Sequence, residues 1–367
     1  MHDVSALSPK AYVSAKTSPN RVRLVLDVRQ SLPAWKQALF LGGSLAVGLA
    51  ISIAVLALAG ISPLELAGEL VGVFNADSLR AVLVQAAPLM LVGLAASLAF
   101  RIGFWNLGLE GQMLFGGIFA TGVSVYEIGP PQTRLLLMGV AAAVGGALWC
   151  LLAGVLKIRF RVNEIIATLL LNYVAVYFLY HLLYGAWQDA RSAFPQSTPY
   201  RPFERLYDTG FGINSGLIVA IVTIIVAAWL VHFSRLGFYM RLISANRNMA
   251  RVLGIPILTV TLWTVGLSGA CAGLAGFVNV TSQEGRLTQS FASGYVFSGV
   301  LIAFLSRNDP IVVAVVGFLI AVLFIIGQTL QVFYQIPFTM VQMIEAIIVM
   351  SVASSEFFIR HRIHLIR

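Results

Sequence analysis

The sequence predicts an all-α polytopic membrane protein with about ten transmembrane helices, some short or broken, and both termini cytoplasmic. Three observations predict it. Of 367 residues, 59% are apolar and only 11% charged, against about 25% charged in an ordinary soluble domain; the mean hydropathy is +0.88. The apolar residues gather into runs close to the roughly 20 residues that a helix needs to cross a bilayer. The basic residues fall unevenly between those runs, as cytoplasmic loops require. This composition excludes a soluble enzyme, a disordered chain and a secreted disulfide scaffold.

The formal net charge is +9, carried by 20 Arg and 4 Lys against 15 acids. In a soluble domain this would suggest nucleic acid. Here membrane topology accounts for it, so the expected partner is the lipid bilayer and not nucleic acid. Cys150 and Cys271 both sit inside apolar runs and read as small buried hydrophobes, not as a disulfide or a metal pair.

Residues 1–37 form a basic arm, with Lys10, Lys16, Arg21, Arg23, Arg29 and Lys36 against Asp3 and Asp27. It reads as a disordered topology signal, with adsorption on anionic headgroups as the alternative. The first apolar run, 38–59, is too long and too far from the start for a signal-peptide core, so it reads as a signal anchor. Further runs cover about 79–100, 105–126, 135–156, 164–184, 215–233, 257–280, 291–305, 311–329 and 338–354. A transmembrane domain thus spans 38–354, and residues 355–367 form a basic cytoplasmic tail.

With ten spans and cytoplasmic termini, the inside segments carry eighteen Lys and Arg and the outside segments six. Losing one span would invert every later loop and destroy that asymmetry, so the count is tested along with the sidedness. The run 105–126 is Gly-rich and carries Glu110, and 291–305 is short. Both suggest broken or re-entrant helices, tolerated only where protein or a water-filled cavity covers them.

The stretch 61–77 reads as a short outside helix at the interface, with Pro63 placed for its first turn. Residues 185–214 are too polar to span and read as an ordered external loop, either a docking surface or a lid over helix ends. Gly269 and Gly273, flanked by Gly266 and Gly276, read as a close helix-packing stripe.

No Gly-Lys dipeptide occurs, so no phosphate-binding loop exists. HExxH and GxSxG are absent, and His2, His181, His232, His361 and His364 are scattered. The chain is expected to carry no catalytic site, metal or cofactor of its own.

The loop at 234–256 carries four Arg and no acid. A short helix is expected over Ser244–Leu253, capped by Asn246, stopped by Gly254 at its C′ position and again by Pro256. Charges alone would satisfy topology. A capped basic helix is additionally suited to a cleft on a soluble partner.

Here the residues resemble a known family. Gly237-Phe-Tyr-Met-Arg241, Ala245-Asn246, Ala250 and Gly254-Ile255 resemble the coupling element of ATP-binding-cassette importer permeases, with Leu242 and Ser244 replacing its usual Ala and Gly. FRIGFWNLGLEGQMLFGG (100–117), RVNEIIATLLLNYVA (161–175) and GYVFSGVLIAFLSRNDP (294–310) are similar to motifs of nucleoside and simple-sugar (ribose-type, lipoprotein-linked) permeases, over residues 80–355. The resemblance implies coupling to the ATPase through Arg241, Asn246, Arg247, Ala250, Gly254 and Ile255. It implies a second permease subunit, identical or related, and a cytoplasmic ATPase that holds the ATP and Mg. It also implies an extracytoplasmic substrate-binding protein and a location in the bacterial inner membrane.

Polar groups within spans are the candidate solute path, because an intramembrane ionisable group is costly. They are Asn106, Glu110 and Gln112 in the third run, Asn172 in the fifth, and Gln342 with Glu345 in the tenth. Glu110 has a structural alternative, pairing with Arg101, and Asn172 has one in binding a neighbouring helix. Glu164 reads as a first-turn acid, and Trp105 as an interfacial anchor. The reading is an importer permease for nucleosides, with simple sugars such as ribose as the alternative. An ion-coupled transporter using Glu110 and Glu345 is more distant, because no internal repeat is visible.

Overall fold

The computed structural model describes residues 23–28, 33–60, 62, 75–207 and 214–366. After a strand β1 (Arg23–Val28) come α1 (Ala34–Leu58), α2 (Ala76–Arg101), α3 (Leu109–Val125), α4 (Pro131–Phe160) and α5 (Glu164–Leu183). A 3-10 turn at Pro202–Glu204 precedes α6 (Ser215–Phe233), α7 (Arg235–Ala245) and α8 (Arg247–Val252). Then follow α9 (Ile257–Asn279) with a π turn at Val280–Glu284, α10 (Tyr295–Leu305), α11 (Pro310–Tyr334), α12 (Phe338–Arg360) and β2 (His361–Ile366).

Each of the ten apolar runs carries a helix. Among the described residues, seven helices are long and apolar enough to cross a membrane: α1, α2, α4, α5, α6, α9 with its π turn, and α11. Helix α10 has 11 residues, about 16 Å, or half a hydrocarbon core. The expected interfacial helix at 61–77 falls almost wholly outside the described residues.

Helix starts follow local chemistry. The side chains of Asn163, Asn214, Ser234 and Asp309 accept hydrogen bonds from first-turn amides of α5, α6, α7 and α11. Pro131 and Pro310 occupy first positions, where no amide is needed.

Helix α2 is the centre of the bundle. Its Val82–Ala99 stretch is almost entirely buried against α6, α9, α10 and α11. Helix α9 packs on α3 and α4 at backbone contact: a Cβ on Gly269 would run into the Gly146 carbonyl, and one on Gly273 into that of Ala142. The glycine stripe is therefore helix packing, as its spacing indicates. Cys150 and Cys271 are buried free thiols.

The termini depart from expectation. Strand β1 pairs antiparallel with β2, Arg23 opposite Ile366 and Val28 opposite His361. The part of the arm that is described is thus not disordered but tied to the tail, and among the described residues the other regular elements are helical. Helix α12 also runs past the expected end of the tenth span, to Arg360.

Candidate functional site

Between α2 and α3 the chain breaks. Gly103 turns at φ +70°, residues 104–108 form no regular secondary structure, and α3 starts inside the bundle. Asn106 holds this break and is fully buried. Its Nδ2 donates to Gln112 Oε1 at 3.0 Å and Ser268 Oγ at 3.0 Å. Its Oδ1 accepts from Gly108 N at 3.1 Å and Gln112 Nε2 at 2.8 Å. Asn172 on α5 does the same one turn away, accepting from Gly111 N at 2.9 Å and donating to the Leu107 carbonyl at 3.0 Å. Three candidate path residues, Asn106, Gln112 and Asn172, are thereby brought into one knot whose polar atoms bond mainly to one another and to backbone. An unwound stretch inside a bilayer needs such partners, because no water satisfies it.

Glu110 is different. It lies in the first turn of α3, is half-buried, and has no hydrogen bond or ion pair with a described residue. The pairing with Arg101 does not form: Arg101 Nη1 donates to the Asn308 carbonyl at 2.8 Å. Gln342 is half-buried on α12; the Glu345 side chain lies outside the described residues. Trp105 is 44% exposed and packs with Phe100 and Phe304 at ring distances of 5.1 and 5.9 Å.

At the opposite end, the 184–207 segment is an ordered cover. Glu204 is buried, pairs with Arg134 at 3.0 Å, and accepts from Ser124 Oγ at 2.8 Å and the Arg201 amide at 3.0 Å. Tyr200 shares a hydrogen bond with Thr121 at 2.6 Å; burial raises its phenol well above the ordinary value. Ser197 and Leu287 exchange two bonds, of 3.0 and 2.9 Å. The loop so grips the chain that descends toward α10. The buried Arg134–Glu204 pair was invisible in the sequence, because 70 positions separate the two residues.

The 234–256 loop forms two helices, not one. Asn246, at φ −159° and ψ 105°, breaks them and caps α8, accepting from Asn248 and Met249 amides at 3.0 and 3.1 Å. The expected helix over Ser244–Leu253 therefore begins three residues later. Gly254 stops it at φ +73°. Ala250 and Ile255 are buried and anchor α8 to the bundle, with Ile255 N bonded to the Ala250 carbonyl at 3.1 Å. The outer face exposes Arg247, Met249, Arg251, Val252 and Leu253, and Arg241 is exposed on α7.

Nearby ends are tied together. Lys157 forms an ion pair at 2.6 Å with Glu164, which stands in the first turn of α5 as expected, and His232 Nε2 on α6 lies 3.2 Å from Asp309. Asp309 also caps α11 through its other oxygen. The His232 contact went unseen because its partner lies 77 positions away.

The model of the permease component of branched-chain amino acid transport systems matches residues 78–353. A glucose ATP-binding-cassette transporter permease of Haloferax volcanii is 35% identical, over 93% of this chain and 94% of the relative. A guanosine transporter permease of Bacillus subtilis is 31% identical over 74% of this chain and 79% of its own length. A nucleoside transporter permease of Lactococcus lactis is 26% identical over 68% and 72%. No solved structure matches the chain. A bundle of apolar helices, a capped cationic helix between two of them, and these matches lead to one conclusion: the chain belongs to this family of ATP-binding-cassette transporter permease components, whose ATPase is a separate chain.

Proposed function

We propose that this chain forms half of the solute path of an ATP-driven nucleoside importer, coupled through α8 to a cytoplasmic ATPase that holds ATP and Mg. The observation that carries the coupling is the exposed face of α8. Apolar Met249, Val252 and Leu253 stand in water beside Arg247 and Arg251, on a helix held by Ala250 and Ile255. Exposed apolar surface rimmed by charge marks a protein contact. ATPase closure would move α8, rock the two permease subunits and switch the path from outside-facing to inside-facing.

Ten crossings with both termini in the cytoplasm agree with the contacts. Bonds link the inside-assigned ends to one another: Arg101 to Asn308, His232 to Asp309, Arg307 to Gln37, and β1 to β2. The outside-assigned segments are linked separately, through Glu204, Ser197 and the pair Arg201–Glu127. A cytoplasmic membrane is the setting, bacterial in the family that the motifs resemble.

A nucleoside is polar and uncharged, which suits a path with few ionised groups. Guanosine and nucleoside permeases among the relatives support it. Simple sugars are the second reading, favoured by the glucose permease that aligns over most of the chain. An extracytoplasmic binding protein and a second permease complete the assembly; Bacillus subtilis has a second guanosine permease related to this chain. The test is ATP-driven uptake of labelled guanosine and of glucose by the assembled complex in vesicles. Uptake of either that needs ATP is expected. Uptake that survives ATP removal and follows an ion gradient would overturn the importer reading.

A further inference from the structure

Helix α5 exposes a face unlike those of its outer neighbours α4 and α6. Tyr173, Tyr177 and Tyr184 are 64%, 69% and 62% exposed. They recur at spacings of four and seven, so they lie on one stripe, with Tyr180 and His181 flanking it. Among the described residues the hydroxyls of Tyr173, Tyr177 and Tyr180 have no hydrogen-bond partner; Tyr184, at the outer end, accepts from Gln289 at 2.9 Å.

The other outward faces give an internal control. Helix α4 exposes Leu136, Val140, Val144, Leu148, Leu152 and Val155. Helix α6 exposes Ile218, Ile221, Val222, Ile225 and Val226, with aromatics only toward its end. Those faces are purely aliphatic at mid-depth, as hydrocarbon demands. Tyrosines belong at the membrane interface, which accounts for Tyr184.

It does not account for Tyr173. That residue is the tenth of the 20 in α5, about 14 Å along the axis, near the bilayer centre. Side chains in a helix lean toward its N-terminus, here the inner end, so neither Tyr173 nor Tyr177 reaches back to the outer interface. A bare hydroxyl in lipid costs free energy that no partner offsets. The hydrogen bond from Gly111 to Asn172 also sets Glu110, whose carboxylate lacks a described partner, at the level of Tyr173.

We propose that the Tyr173–Tyr177 face of α5 lines the water-filled path, and that these rings stack on the ring of an uncharged solute as it crosses. The second permease subunit closes the path opposite. This rests on the importer reading and deepens it: the recognised feature is a flat or puckered ring bearing hydroxyl or amide groups. Aromatic faces take such rings without regard to sequence of polar groups. Below Tyr173 the stripe becomes aliphatic, with Leu170 and Ile166 exposed, so the polar lining ends at mid-depth.

The test places single cysteines at Tyr173 and Tyr177, with Val144→Cys and Ile225→Cys as lipid-face controls, in the full complex in vesicles. The unsubstituted chain, whose two cysteines are buried, is the blank. A membrane-impermeant methanethiosulfonate reagent reacts only with a hydrated thiolate, so Tyr173→Cys and Tyr177→Cys are expected to label about tenfold or more faster than the controls. Guanosine or glucose is expected to slow that labelling. ATP hydrolysis by each preparation shows that it is assembled. Labelling no faster than Val144→Cys and Ile225→Cys overturns the assignment, leaving this face to lipid or to subunit packing. Fast labelling that neither solute slows overturns the stacking role. Uptake by the unsubstituted complex is measured alongside, so failure of the importer reading is distinguished from failure of the tyrosine face.

Discussion

At the level of single residues, the polar groups divide by what they touch. Asn106 and Asn172 stand out in the sequence as amides in apolar runs, and the sequence leaves open whether they face solute or backbone. The structure gives them backbone and one another. Asn106→Ala is expected to destabilise the protein by about 2–4 kcal/mol, since several partners lose their bonds in a site without water; a lowered Tm in detergent checks it. Glu204→Gln strands the Arg134 guanidinium and is expected to cost about 3–5 kcal/mol. A Tm unchanged by that substitution would show that the external loop does not depend on the buried pair. Neither partner of that pair was legible as a contact, because 70 positions separate them.

At the level of elements, caps and stops were the most legible features. Asn246, Gly254 and Pro256 bracket α8 in the sequence, and the structure uses Asn246 and Gly254 in those roles. The start was misjudged by three residues because Asn246 adopts an extended backbone and ends α7 as it caps α8. A capping residue can serve two helices, and the pattern of residue types does not reveal it. A Cβ at Gly254 meets nothing within 4 Å, so substitution there acts through the backbone alone. Gly254→Val is expected to strain the stop by about 1–2 kcal/mol and to weaken retention of the ATPase on purification, with the bundle itself still folded. Retention equal to that of the unsubstituted chain would count against α8 as the coupling element.

Across the whole molecule, Arg101 with Asn308, His232 with Asp309 and β1 with β2 join one set of helix ends, and Glu204 and Ser197 join another, as the proposed sidedness requires. A tag at either terminus is therefore expected to be reached by antibody only after cells are permeabilised. One terminus reachable on intact cells would overturn the even number of crossings.

What the sequence by itself determined is the class: run length, charge asymmetry and cap residues are local, and a bilayer selects on local composition at every position. The helices α1, α2, α4, α5, α6, α9 and α11 lie where their runs predicted them. What only the tertiary structure decided is which face of each helix packs against protein and which stays exposed. Apolar side chains satisfy lipid and core equally, so periodicity carries little signal in a membrane helix. The tyrosine stripe of α5 therefore acquired its meaning only beside the aliphatic faces of α4 and α6. The Arg134–Glu204 ion pair, the His232–Asp309 contact and the ribbon joining residues 23–28 to 361–366 likewise exist only once distant segments are folded together.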